Sequence, residues 1–252
     1  MGKKAPKVRI LRMKVCETVI TSRQNGQVVL LGKLGERKHR AKEGLFRFDG
    51  KKLFLEAVLC GLDIRRIFLR ASESAELISL VREREEALPE TVIYVLADDM
   101  FDKLSEERAP EGILSVAAFP SFQKDTDILE DYAKDGQKRV FLIESVRDPG
   151  NVGTILRSAA AFGVDLLVMS RDCADLYNPK TVRGAMGALF RQRIVLWTTS
   201  PRQFPPPILH GFRGRWPVPP SLPLPSFLRE IPTNPYNRHI PAVWQGFYLP
   251  GG

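Results

Sequence analysis

Two short stretches of this chain carry residue types suited to gripping a phosphate. The first runs Asp148-Pro149-Gly150-Asn151-Val152-Gly153-Thr154-Ile155-Leu156-Arg157. It follows an apolar run, Val140 to Ile143, and opens an apolar-periodic segment. A turn of this kind at a helix start points backbone N–H groups outward and favours an anion. Gly150 and Gly153 would let a ligand approach the backbone, and Asn151 can cap the helix or bond a ribose hydroxyl. Arg157, two turns on, can hold a phosphate in its planar fork. The second stretch is Asn178-Pro179-Lys180-Thr181-Val182-Arg183. Lys180 and Arg183 lie three apart, hence on one face of a helix capped by Asn178 and begun by Pro179. Neither stretch has the GxGxxG spacing of a dinucleotide fold or the Gly-Lys-Ser/Thr of a P-loop. Each alone reads more readily as ordinary α/β structure than as a ligand site.

The elements around them alternate. Within residues 139–196 the pattern predicts a strand at Val140 to Ile143, a helix with Asn151 as its cap, and a strand at Leu166 to Met169. A second short helix and a strand at Arg191 to Leu196 follow. In the helix between, Val152, Ile155, Leu156, Ala159, Ala160 and Phe162 form the apolar face, and Gly184 gives the next helix a flank for close packing. Upstream, the periodicity predicts a helix over about 26–38 and strands at Leu45 to Gly50, Ile64 to Leu69, Thr91 to Leu96 and Ile113 to Phe119. Helices over 53–61, 72–87 and 98–105 fall between them. The expected organisation is a basic lead-in at 1–19, a small α/β domain at 20–122, a polar linker at 123–138, and a second α/β unit at 139–196.

Charge is distributed unevenly. The net charge is +9 and the pI about 9.6. Residues 1–52 carry 15 Lys+Arg against 4 Asp+Glu, whereas residues 53–200 carry 18 against 24. A front-loaded positive charge suits a polyanionic partner. The three cysteines and three histidines form no metal-ligand spacing, so no metal is expected. No apolar run approaches the ~18 residues of a membrane span, and the basic first residues lack the apolar core of a secretion signal. A reduced, cytoplasmic location is expected.

Beyond residue 196 the pattern stops. Residues 201–252 hold 13 of the 19 prolines, one Glu, and neither Lys nor Asp, without periodicity of either kind. An irregular Pro-rich tail is expected there.

Taken together, DPGNVGTILRSAAAFG and NPKTVRGAMGALF resemble the SpoU/TrmH RNA 2'-O-ribose methyltransferases of the SPOUT superfamily. ITSRQNGQVVLLGKLGERKHRAKEGLFRFDGKKLFLEA resembles the substrate-binding domain that precedes many of them. The resemblance covers roughly residues 20–196. It implies an α/β RNA-binding domain followed by part of an α/β knot-type methyltransferase domain. It further implies S-adenosylmethionine as methyl donor, structured RNA (ribosomal RNA above all) as substrate, and a homodimer. Arg157 matches the family's catalytic arginine and Asn151 its motif asparagine. Arg23, Asn25 and Arg40 fall in the domain that would bind RNA, and Lys180 and Arg183 join them. The family's later Gly-x-Glu and Ser-Leu-Asn segments, which tie the knot and build the donor pocket and much of the dimer interface, are absent from the sequence. Ala185 stands where members often carry Ser. A shift of reading frame near residue 197 would account for both the absence and the change of composition; the alternative is an authentic divergent protein with a Pro-rich tail. The function the resemblance implies is RNA 2'-O-ribose methylation; the alternative is a catalytically inactive RNA-binding fragment that lacks the cofactor pocket, and weak or absent turnover is expected of the chain as written.

Overall fold

The structure is a computed structural model, and it describes residues 13–120 and 138–197. Five strands form the first sheet: β1 (Lys14–Ile20), β2 (Leu45–Asp49), β3 (Ile64–Arg70), β4 (Val92–Leu96) and β5 (Ile113–Ala118). Their order is β1-β4-β3-β5-β2. β1 and β3 flank β4 in parallel, while β5 runs antiparallel to both β3 and β2. Five helices belong to this unit: α1 (Gly26–Lys33), α2 (Arg37–Glu43), α3 (Lys51–Leu59), α4 (Ser74–Arg82) and α5 (Asp98–Leu104).

Strand β3 shows why the sheet is covered on both faces. Alternation sends Ile67 and Leu69 to one side and Phe68 to the other, and all three are fully buried. Phe68 packs with Val28, Leu31 and Leu34 and with Met100 and Phe101, so α1 and α5 cover that face. Ile67 and Leu69 pack with Leu53, Phe54 and Ala57 of α3 and Leu77 and Val81 of α4.

The second unit has three parallel strands in the order β6-β7-β8: β6 (Val140–Ile143), β7 (Leu166–Ser170) and β8 (Ile194–Trp197). Helix α6 (Pro149–Ala161) joins the first two, and α7 (Pro179–Ala185) lies between the second and third. The two units share one apolar core. Aromatic rings close the seam: Phe46 lies 4.9 Å from Tyr177, Phe48 lies 5.2 Å from Phe190, and Phe119 stacks on Tyr177 at 4.0 Å. Rings of this size remove a large apolar area from water and prefer such offset and tilted contacts.

Several expectations change. Lys14–Ile20 is a sheet strand and does not belong to a lead-in. It is an edge strand with Lys14 and Val19 exposed, so its sequence lacks a clean apolar alternation. The helix expected over 26–38 is two helices, broken at Leu34 and Gly35, whose carbonyls accept hydrogen bonds from Arg40 instead of continuing the ladder. The helix expected over 72–87 shortens to α4, with single 3-10 turns at Ala71–Glu73 and Glu85–Ala87. Phe162 is the exposed C-cap of α6 rather than a member of its inner face. The expected linker and the Pro-rich tail lie outside the described residues, apart from Lys138 and Trp197 at their edges.

Candidate nucleic-acid interface

The site is built on the starts of α6 and α7. Asp148, not Asn151, caps α6: its carboxylate accepts the Asn151 N–H at 2.8 Å, and Pro149 takes the first helical position. Proline is tolerated there because that N–H has no helical acceptor anyway. The cap must therefore be the residue before it, the same logic that makes Asn178 the cap ahead of Pro179. Asn151 falls one turn in, and its side chain is exposed at the helix start.

The loop feeding α6 is held from the neighbouring strand. Ser145 has a left-handed backbone (φ 55). Its N–H donates to Ser170 Oγ at 2.9 Å, and its hydroxyl donates to Asp172 at 2.5 Å. Ser170 donates to the other oxygen of Asp172 at 2.5 Å. These two hydroxyls, Ser145 first, hold the Asp172 carboxyl below its ordinary value, with Arg147 at 3.6 Å acting in the same direction. Sequence reasoning missed this trio. Its one signal is a polar run, Ser170-Arg171-Asp172, immediately after a buried strand.

Helices α6 and α7 meet backbone to backbone. A Cβ on Gly153 would lie 2.6 Å from the Thr181 carbonyl and 2.9 Å from Gly184 Cα. Gly153 therefore serves helix packing, not the ligand approach expected of it. Gly184 does what its small size suggests. Arg157, four residues past Gly153, continues the same helical row. It is exposed, with no hydrogen-bond or ion-pair partner among the described residues. Lys180 is also exposed on α7. Arg183 is exposed but donates to the Glu106 carbonyl at 3.2 Å, across the seam between the units.

The first domain's candidates separate. Arg23 is exposed in the turn before α1. The Asn25 side chain caps α1 by accepting the Gln27 N–H at 2.9 Å, so its carbonyl oxygen already has a structural partner. Arg40 is 2% exposed and faces the interior, bonded to Leu34, Gly35 and Asp175. It is not a surface RNA contact. Arg37, Lys38 and Lys42 of the same helix are exposed instead.

A crevice of about 20 Å³ lies at the seam, lined by Asp49, Glu106, Glu107, Pro179 and Arg183 among others. Burial pushes the Asp49 carboxyl above its ordinary value, and hydrogen bonds from the Glu106 N–H and the Ser105 hydroxyl pull partly against that. Glu107 is raised by burial and then by its neighbours Asp49 and Glu111.

Residues 138–204 match the SpoU rRNA Methylase family, and residues 25–115 match the MRM3-like substrate binding domain. The likeness to the SpoU family is thus carried by residues 138–204, and residues 25–115 carry the separate likeness to the substrate-binding domain. Among curated relatives, rRNA methyltransferase 3, mitochondrial, of Mus musculus is 32% identical over 173 residues, covering 68% of this chain and 40% of the relative. The 23S rRNA (guanosine(2553)-2'-O)-methyltransferase RlmP of Bacillus subtilis is 32% identical over 181 residues, covering 70% and 64%. The chain thus spans two fifths of the mitochondrial relative and under two thirds of the bacterial one. Among solved structures, the SpoU methyltransferase AviRb of Streptomyces viridochromogenes, in complex with AdoMet, aligns with TM-score 0.58 at 27% identity, covering 70% of this chain and 64% of that one. An AdoMet-bound rRNA methyltransferase of Sinorhizobium meliloti shares the fold, with TM-score 0.61 at 23% identity over 74% and 66%.

The described part of the SpoU segment does not by itself fit an adenosine-bearing donor. Ligands of open α/β sheets sit beyond the carboxyl ends of the strands. There, the hydroxyls of Ser145 and Ser170 are both committed to Asp172. The seam crevice is far too small, and an open depression lined by Lys138, Asp165 and Arg193 lies at the amino ends of the strands.

Proposed function

We propose that this chain acts on structured RNA, ribosomal RNA in particular, as a SpoU-type ribose 2'-O-methyltransferase with S-adenosylmethionine as methyl donor. The observation that carries the RNA side of this reading is Arg157: an exposed guanidinium without a partner among the described residues, on the helical row that meets α7 at Thr181 and Gly184. An exposed arginine without a carboxylate partner among the described residues is available to a ligand anion. A guanidinium stays protonated in proteins, so it does not act as the base. Arg157 orients the phosphate beside the reacting ribose and stabilises the alkoxide that forms on its 2'-oxygen. A phosphate oxygen or water takes the proton. Asn151, with its side chain exposed at the helix start, bonds the ribose. The basic front half of the chain, with Arg23, Arg37, Lys38 and Lys42 outward, supplies phosphate contacts of no sequence specificity.

The rRNA methyltransferase activities for which RlmP and rRNA methyltransferase 3 are named, and the bound AdoMet of AviRb, support the same reading. A homodimer, expected for the family, belongs to it. So does a reducing compartment: Cys16, Cys60 and Cys173 are all free thiols. The mitochondrial names of several relatives make a mitochondrial location as suitable as the cytoplasm.

A second reading, an RNA-binding chain without methyl transfer, is favoured by the composition from residue 201 onward, where the resemblance calls for Gly-x-Glu and Ser-Leu-Asn. Calorimetry of the full chain with S-adenosylmethionine separates the two. Micromolar binding supports the enzyme, and salt-dependent RNA binding without donor binding supports the second reading. In an assay with labelled donor and a ribosomal RNA transcript, Arg157→Ala is expected to lower turnover by about 10²–10³-fold with little change in melting temperature. Unchanged turnover would remove Arg157 from the chemistry.

A further inference from the structure

Arg40 occupies an unusual position. One amino group of its guanidinium donates to the Leu34 carbonyl at 2.8 Å and the Gly35 carbonyl at 2.6 Å, at the end of α1. The other meets Asp175 at 2.5 Å, 135 residues away in the second unit. The side chains of the pair are 3% and 17% exposed. Arg40 Nε has no partner among the described residues. Burying an ion pair with an unmet donor is a poor way to gain stability, because an apolar pair of the same volume does as well or better. What such a pair does supply is fixed geometry.

The geometry it fixes leads to α7. Asp175 is the hub of the turn that starts this helix. Its second carboxylate oxygen accepts the Tyr177 N–H at 3.0 Å. Its backbone carbonyl accepts the Asn178 N–H at 3.1 Å and the Thr181 hydroxyl at 3.0 Å. Asn178 in turn caps at the Lys180 N–H. On the other flank, Arg183 is tied to the Glu106 carbonyl. The same inward turn of Arg40 also sets the rotation of α2, which leaves Arg37, Lys38 and Lys42 facing out.

We propose that Arg40 is a positioning residue for RNA. Through Asp175 it locks α7 of the SpoU segment against the substrate-binding domain, so that Lys180 and Arg183 and the exposed cations of α2 present one phosphate-binding face. This rests on the RNA reading above. It assigns Arg40 no contact with RNA, and it makes the relative placement of the two units integral to substrate recognition.

The test is the salt dependence of binding of the full chain to a structured ribosomal RNA transcript. Removing both cations in Lys180→Ala/Arg183→Ala should lower the slope of log affinity against log salt by about 1.4–1.8, at ~0.7–0.9 for each phosphate that is no longer neutralised. Arg40→Met should lower the slope by a similar amount, and it should have little further effect when added to that double variant. Asp175→Asn, which keeps an acceptor for the Tyr177 N–H, should do the same more weakly. It stands in if Arg40→Met does not fold, as judged by melting of the same preparations. A folded variant at either position with the wild-type slope overturns the proposal, and so does a loss that adds fully to that of the double variant. Wild-type binding that is absent or insensitive to salt overturns the RNA reading itself, and the role of Arg40 with it.

Discussion

Helices α6 and α7 begin in the same way and end up in different mechanical situations. Each has an Asx cap followed by proline, and each carries a basic residue within its first few turns. The α6 start hangs on its own sheet: Ser145 and Ser170 meet at Asp172 beside it, and Arg157 is exposed with no partner among the described residues. The α7 start is pinned from outside. Arg40 reaches Asp175 from α2, Arg183 reaches the Glu106 carbonyl, and Phe46 and Phe48 pack on Tyr177 and Phe190. The difference teaches that a similar local start can carry either a freely available cation or a docking joint. Only the neighbours decide which.

Changes at the helix starts and at the seam between the units test that contrast. The largest expected effect is at the contact joining the two helices. Gly153→Ala puts a methyl against the Thr181 carbonyl and the Gly184 backbone, which cannot swing aside as a flexible side chain would. The helices must separate, at a cost of about 1–3 kcal/mol, measurable by urea denaturation. A neutral result would mean that the two helices are not in contact, and the contrast between their starts would have no common joint.

The caps come next. Asp148→Ala should cost about 1 kcal/mol, because no other described side chain holds the Asn151 N–H. Asn178→Ala should cost less, toward about 0.5 kcal/mol, because Asp175 and Arg183 hold α7 independently. Equal losses on thermal melting would show that the external pins contribute nothing to the α7 start.

The smallest effect concerns the seam crevice. Burial raises Asp49 above its ordinary carboxyl value of 3.8. A group whose folded value is raised contributes its full stability below the unfolded value and loses it as pH rises through the folded one. Ionised Asp49 is therefore a liability at neutral pH. Asp49→Asn should raise the melting temperature at pH 7 by a few degrees at most, because both hydrogen bonds from Ser105 and Glu106 go to one oxygen that the amide retains. The gain should fade as pH drops toward the ordinary carboxyl value. A gain independent of pH would point to packing rather than charge.

Much of this architecture is legible in the sequence. The run IRRIFLR predicts a strand, and it is one, buried on both faces. Asn178-Pro179 announces a helix start, and Gly184 a close helix contact. Asp148-Pro149 carries the same signal, and the expectation of Asn151 as cap overlooks that proline restricts the cap to the residue before it. Strand β1 is hidden because an edge strand beside a basic segment needs apolar residues on only a portion of its length. Ser145, Ser170 and Asp172 are illegible, since three ordinary polar residues gain meaning only when a left-handed turn brings them together.

By itself, the sequence determined the strand–helix alternation, the two helix starts, the front-loaded charge and the likeness to SpoU methylases, because period, capping and composition are local properties. The tertiary structure decided what each arginine is for. Arg157 and Arg40 are the same residue type, and each lies on a helix. One stands exposed, and the other was drawn into the seam, because there two orphaned carbonyls and a carboxylate from a distant loop converge on a single guanidinium.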